Sequence, residues 1–461
     1  MSYTKALAEY ATKLRYEDIP KEVIEQAKLL TLHTLGVSLA GSSTKQGKDA
    51  IALAKVLGGG KQEATLIGDG TKVSCAEAGF ANSTLADVLD WEDCSWTGHP
   101  SAGAIPAGLA VGETVKASGK DYITSVVAGY EVYQRIAMAV QPSREYWASK
   151  GWGLVNWQIF SGAIPAAKLL RLNEEKMAQT IGIAGVLTPI VTTIKCRESY
   201  SNIYHYQHGC SCRDSIVAAF IAKSGISGLY DILDGDHGYW STLSDKCDWE
   251  WLTKGLGTDY LIMETLFKHW PANMWIQQYL DAVDVIVREN KIGADDVEEV
   301  IVAPNYLRFM YHRPEGFDQI LRAQFSIPYC IAVRLLDPEP GPQWYTDEKL
   351  RNPKLLRLAS RVRAEGASIK AVYETFKMFK EGKYPEVKVT IITRDGKHYS
   401  NTNSFPKGHP KNRMTYDEYT ERFKRAASFG LKPDRIDQAM ERIYKLDKLG
   451  DVSLISELMH N

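Results

Sequence analysis

Apolar residues recur at helical spacing through most of the first 265 positions. After Ile19-Pro20, the run KEVIEQAKLLTLHTLGVSLAG sets Val23, Ala27, Leu30, Thr34 and Val37 along one side, the three-and-four spacing of an amphipathic helix. Pro20 suits its first turn and Gly41 a C-terminal stop. The same periodicity predicts helices over 48–57, 76–89, 104–117, 122–140, 156–172, 174–186 and 213–223, joined by short connections, with a kink at Pro165. Gly58-Gly59-Gly60-Lys61 reads as a helix-ending loop rather than a phosphate loop, because Gln62 stands where Ser or Thr is needed.

After Pro271 the period changes. VEEVIVA (297–303) and EVKVTIIT (386–393) alternate and are β-branched, and the second runs through Asp395-Gly396 into 397–402, a hairpin signal. Helices are predicted between them, around 323–336 and 347–365. Thr415-Tyr416-Asp417-Glu418 is a capping box that opens a helical tail reaching His460. The fold class is therefore mainly α: a large all-helical domain built from 1–265 plus 405–461, with a smaller α+β domain over 266–404 inserted into it.

Composition narrows the function more than the fold. A chain of 461 residues, 44% hydrophobic and 24% charged, buries a sizeable core. The 55 basic and 56 acidic residues are spread without long blocks, which removes the footprint of a nucleic-acid or anionic-membrane binder and leaves room only for a locally basic pocket. Seven scattered cysteines argue against a disulfide framework, and the Cys210-x-Cys212 pair is too tight for a zinc ribbon. The N-terminus mixes charge with apolar residues and resembles neither a signal peptide nor an anchor, and no apolar run approaches a membrane span. A cytoplasmic protein is expected.

The candidate chemistry concentrates in LDWEDCSWTGHPSAGAIP (89–106). Here Asp90, Glu92 and Asp93 precede His99, and Pro100-Ser101 begins a small-residue helix. Carboxylates beside an imidazole that titrates near ~6.5 are the minimum equipment for moving protons at neutral pH. The longer run EATLIGDGTKVSCAEAGFANSTLADVLDWEDCSWTGHPSAGAIP (63–106) resembles the opening signature of the MmgE/PrpD family, which includes 2-methylcitrate dehydratases, cis-aconitate decarboxylases and iminodisuccinate epimerases. Further matches are Gly129-Tyr130-Glu131-Val132 with Arg135, Ala167-Lys168-Leu169-Leu170, Gly225–Gly228 with Leu233-Asp234-Gly235, Lys268 with Pro271, Phe325-Ser326-Ile327-Pro328-Tyr329, and 407–412. The resemblance spans about 29–423. It implies a helical domain with an α+β lid, an active site between them, no metal or organic cofactor, a homodimer, and proton transfer next to a carboxylate of a small di- or tricarboxylic acid.

Residue by residue, the resemblance places catalytic roles on Asp90, His99 and Lys268 and substrate contacts on Cys94 and Tyr329. Removing a proton next to a carboxylate builds negative charge, so cations and donors are needed around the substrate. Lys268 and Tyr329 suit that need, His99 is the natural acid or base, and Asp90 either orients its ring or caps a helix. Glu92 and Asp93 read as solvated or helix-capping, since no His or Cys stands at metal-ligand spacing. Two departures stand out. Where the family reads G-F-H-P-T this chain has Gly151-Trp152-Gly153-Leu154-Val155, and near its K-x-L-H-x-G stretch this chain has Tyr204-His205-Tyr206-Gln207-His208-Gly209. One imidazole and one lysine are thereby lost. Trp152, Asn156, Tyr204 and His205 are expected at the substrate, with His205 standing in for the lost cation, and the aromatics Trp152, Trp157, Tyr204 and Tyr206 point to a bulkier, less anionic acid.

The leading expectation is a cofactor-independent carbon–oxygen lyase, a dehydratase or hydratase of a small hydroxy acid. Decarboxylation or epimerisation of a related acid is the alternative within the same chemistry, and a non-catalytic binding protein on the same fold is the alternative outside it.

Overall fold

The computed structural model describes residues 2–95, 98–150, 156–188, 201–235, 237–369 and 372–461. Most predicted helices form close to their expected bounds: Lys21–Ser42, Lys45–Gly58, Cys75–Asp87, Ser101–Val115, Gly119–Ala139, Gln158–Leu169 and Glu174–Leu187, whereas the helix expected over 213–223 begins ten residues earlier and runs Ile203–Lys223. Ile203–Lys223 packs on both Cys75–Asp87 and Gln158–Leu169, and Ser101–Val115 packs on those same two helices. These four place the candidate chemistry in one buried layer. No helix among the described residues is long and apolar enough to cross a membrane.

Small residues set the helix spacing. Gly41 is not a stop signal, because the helix runs one residue past it; a Cβ there would lie 2.2 Å from the Leu85 carbonyl oxygen of the neighbouring helix. Gly108 faces Tyr122, Gly112 faces Val452 and Gly129 faces Pro165. These glycines are thus consumed inside the chain. Pro106 and Pro165 both sit within helices.

The β-rich stretch forms a four-stranded sheet in the order His398–Asn403, Val387–Thr393, Val297–Ala303, Val362–Ala364. The first two pairings are antiparallel and the last is parallel, with Val300 opposite both Ile391 and Val362. Val387, Val389 and Ile391 are buried in alternation with Lys388 and Thr390, as the pattern predicts. Gly396, at φ +80°, turns the hairpin. The expected 347–365 helix is instead two short helices, Asp347–Leu350 and Pro353–Ala359, followed by the edge strand Val362–Ala364. Asn352 caps the second helix and Pro353 starts it, so the chain must break there. The expected 323–336 helix is likewise divided, with Ser326 capping Ile327–Leu336. Thr415 makes the capping box with Glu418, and Tyr416–Ala427 packs back on Lys21–Ser42.

A buried clamp delivers Lys268 to the site. Arg135, paired with Glu131, donates to the carbonyls of Gly255 (3.1 Å) and Asp259 (2.8 Å), while Glu131 accepts from the amides of Leu261 (3.0 Å) and Ile262 (2.9 Å). The chain then enters Leu266–Phe267, which pairs antiparallel with Asp93–Cys94. Lys268 thereby arrives beside Asp90 and Glu92.

Candidate active site

The site is assembled from the end of the Cys75–Asp87 helix, the turn after it, the approach to Ser101–Val115, the first turns of Ile203–Lys223 and the Lys268 segment. Asp90 takes a left-handed conformation, φ 50°, which reverses the chain after the helix. Asp93 accepts from the Ser101 amide (3.1 Å) and the Tyr130 hydroxyl (2.6 Å), anchoring the next helix. Its expected capping role is therefore met, but from a buried position where loss of water pushes the carboxyl up to about 6. Gln158 donates to the His99 carbonyl at 2.9 Å and holds that residue at the helix entrance.

Glu92, expected to be solvated or helix-capping, is the centre of the cluster. It is fully buried, and its Oε1 meets both His99 Nδ1 and, at 2.6 Å, Lys268 Nζ. Asp90, expected to orient His99, instead holds Lys268 Nζ. The corrected arrangement is a chain His99–Glu92–Lys268–Asp90. The other carboxylate oxygens, Glu92 Oε2 and Asp90 Oδ2, are buried without a hydrogen-bond partner among the described residues. Burial pushes Glu92 up to about 7 and Asp90 above its usual range, against the pull of Lys268. Lys268 is disfavoured as a cation by burial, but Asp90 and Glu92 outweigh that and keep it charged. Its charge is thus spent on these carboxylates rather than presented to a substrate.

A second imidazole pair lies alongside. His205 meets Asp87 Oδ2 through Nδ1 (2.8 Å) and Gln324 Oε1 through Nε2 (3.0 Å), and Gln324 Nε2 donates to the Val88 carbonyl (3.0 Å). With acceptors on both nitrogens the ring is held as imidazolium. Burial opposes this, yet the Asp87 hydrogen bond and charge raise its pKa. His208 approaches the other Asp87 oxygen at 3.4 Å, and its ring lies edge-on to His99 with centroids 5.1 Å apart. Its Nδ1 has no partner among the described residues, and burial pulls the ring down to about 4, so it is neutral at pH 7. Asp87 stays below the usual carboxylate range against its burial penalty, held there by the hydrogen bond and charge of imidazolium His205.

The sequence assigns no role to Asp87, His208 or Gln324, and to Glu92 only that of a solvated or helix-capping residue. The nearest signal was the helical spacing of His205 and His208, three apart and on one face. Asp87, Glu92 and His99 also bring one ligand atom each within 4.8 Å of one another. Linear spacing had given no metal triad, so folding supplies the proximity that the sequence lacked. Glu92 already holds a lysine and Asp87 two imidazoles, so a dication here would have to displace existing partners.

Other expected contacts are engaged with groups outside this cluster. Cys94 is a buried neutral thiol against the Ser95 carbonyl (3.1 Å) and Met274 Sδ (3.4 Å). Tyr329 donates its hydroxyl to the Trp344 carbonyl at 2.5 Å, deep in the α+β stretch, and is no donor to a substrate there. Tyr204 is buried edge-on against His205 and Phe325. Asn156 is buried with Oδ1 unpaired among the described residues. Trp157 is core, and Tyr206 donates to the Gln46 carbonyl at 3.0 Å, so neither widens the site. Trp152 and Gly153 lie outside the described residues.

Comparison with known proteins identifies the family. The MmgE/PrpD N-terminal domain matches residues 5–252 and the MmgE/PrpD C-terminal domain residues 270–446. Similar proteins include cis-aconitate decarboxylase of Aspergillus terreus (strain NIH 2624 / FGSC A1156), 22% identical over 99% of this chain and 96% of that protein. Cis-aconitate decarboxylase of Homo sapiens is 22% identical over 99% and 94%, and that of Mus musculus 21% over 99% and 93%. With both domains matched along nearly its whole length, the chain belongs to the MmgE/PrpD family.

Proposed function

We propose that this protein is a lyase of a small carboxylic acid, acting by proton transfer at the carbon next to a carboxylate, with dehydration or hydration of a hydroxy acid as the leading reaction. The observation that carries the reading is the buried His99–Glu92–Lys268–Asp90 chain. Glu92 fixes the ring of His99 and stabilises its protonated form, the arrangement a general acid or base requires. Dehydration needs two proton transfers, one from carbon and one to the departing hydroxyl. The edge-on pair of His99 and neutral His208 supplies two such groups, and imidazolium His205 supplies the local positive charge where the family's lysine is Tyr204. Lys268 positions Glu92 rather than binding substrate.

Decarboxylation is the second reading, favoured by the names of the relatives. It requires only one protonation, of the carbanion left by carbon dioxide. Incubating the purified protein with a panel of hydroxy acids and unsaturated di- and tricarboxylic acids, read by mass, separates the two: gain or loss of water supports the lyase of hydroxy acids, and loss of carbon dioxide the decarboxylase. Inversion without mass change would point to epimerisation. No conversion of any acid, with binding retained, would leave a binding protein and end the catalytic reading.

A further inference from the structure

Two residues next to the catalytic cluster in sequence, Trp91 and His269, line a separate cavity of about 610 Å³. Its walls come from the Tyr416–Ala427 helix on one side and the Gln277–Asn290 helix with Asn401 and Asn403 on the other. Asp90, Glu92, His99 and Lys268 do not line it. The size suits a small-molecule ligand.

The charges of this cavity are paired, with one exception on its cationic side. Arg288 (2.8 Å) and Arg334 both hold Asp284, Lys407 holds Glu418 at 2.7 Å, and Arg425 holds Glu339 at 2.8 Å. Arg422 has no carboxylate among the described residues. It is 8% exposed, its Nη1 finds only Met414 Sδ at 3.7 Å, and its Nε and Nη2 have no partner there. Its guanidinium lies over the Trp91 ring, 5.5 Å from the centroid. Asp281, buried on the same wall, is already occupied by the Lys407 amide (2.6 Å), Trp270 Nε1 (2.8 Å) and Asn403 Nδ2 (3.4 Å). Burial, helped by the repulsion of Arg425 and only partly offset by Tyr419 and Asp281, drags Arg422 down to about 9, a measure of how incompletely the protein itself compensates the cation. A buried charge is tolerated when something pairs it, and a guanidinium offers a planar fork matched to carboxylate or phosphate oxygens.

We propose that this cavity is a second ligand site, distinct from the catalytic cluster, which binds a small anion through the Arg422 guanidinium with Trp91 as its backing. The anionic group is a carboxylate or a phosphate; the carboxylates already on the rim exclude larger polyanions. The site is also placed to report on catalysis. Trp91 separates Asp90 from Glu92 in the chain, and its Nε1 donates to the carbonyl of His269 at 3.0 Å, the residue after Lys268. This inference does not depend on which reaction the cluster performs.

Calorimetric titration of the full chain with inorganic phosphate, and separately with succinate, at constant ionic strength tests it. At least one of the two anions should bind, and which one does tells phosphate from carboxylate as the natural group. Arg422→Met should weaken that binding by about tenfold or more, and Arg422→Lys should fall between, because an ammonium keeps the charge and loses the fork. Glu421→Gln, at an exposed position on the same wall, should tighten binding by removing a like charge, and it carries the test if Arg422→Met does not fold. An Arg422→Met protein that melts cooperatively and binds both anions like the wild type would overturn the proposal. So would wild-type protein that binds neither anion at tens of millimolar, or a Glu421→Gln variant with unchanged affinity.

Discussion

His99 and Lys268 share one oxygen of Glu92, and that sharing sets what each can do. Lys268 thereby helps fix the carboxylate that His99 contacts. His99→Gln should therefore cut turnover by about 10²–10⁴-fold with the fold intact, the usual worth of a general acid or base. A normally melting His99→Gln protein within about threefold of wild type would move the role to His208 or His205. Lys268→Met leaves two buried carboxylates without their cation and should destabilise by about 3–5 kcal/mol in urea unfolding. His208 gives a pH signature. Its ring titrates at about 4 in the fold and near ~6.5 when unfolded. Between those values the unfolded chain binds a proton that the folded chain refuses. The neutral ring thus contributes stability that is fully present above about pH 6.5 and lost as pH falls toward about 4. Denaturation of wild type against His208→Gln should show the wild-type advantage shrinking by about 3 kcal/mol over that window; a constant difference would mean that His208 is not buried neutral.

At the scale of elements, close helix contact depends on particular glycines rather than on propensity. Gly41 lies against the Leu85 carbonyl, so Gly41→Ala should destabilise by about 1–3 kcal/mol through forced separation of two helices. Gly450, where an added Cβ meets nothing within 4 Å, is the control and should tolerate alanine. Equal denaturation midpoints for the two variants would show that the helices part at no cost. Helix and hairpin positions were legible because they follow from periodicity and turn residues a few positions apart. The 347–365 stretch was misread because its apolar pattern fits helix or strand, and only pairing with Val297–Ala303 makes Val362–Ala364 a strand.

At the scale of the whole molecule, the family resemblance implies a homodimer, and the small residues Ala107, Gly108, Ala110, Gly112, Ala128 and Gly129, which would allow close contact between helices, are buried within the chain. The exposed apolar residues Val186, Ile226, Leu229 and Tyr230 offer a different surface. Sedimentation at micromolar concentration should give a dimer, and Leu229→Glu should shift it toward monomer if that surface is the contact. Tyr416–Ala427 packs back on Lys21–Ser42, and we propose the division of the molecule into 1–265 plus 405–461 and 266–404. A chelator should leave turnover unchanged, because Glu92 Oε1 is held by Lys268 and His99, and the two Asp87 oxygens are held by His205 and His208. Activity lost to chelation and restored by one divalent ion would reassign Asp87, Glu92 and His99.

The sequence by itself determined most of the helices, the hairpin, the capping box and the family resemblance, and singled out the Asp90–His99 stretch as the place to look for chemistry. Each of these is written in residues that lie close together along the chain. Only the tertiary structure decided the partners: Lys268 reaches Asp90 across 178 positions, His205 reaches Asp87 across 118, and Gln324 reaches Val88 across 236. Asp90 and Glu92 are two residues apart and chemically alike, so nothing local says which one faces the imidazole. The left-handed turn at Asp90 and the pairing of Asp93–Cys94 with Leu266–Phe267 make that choice, giving Glu92 to His99 and leaving Asp90 to Lys268.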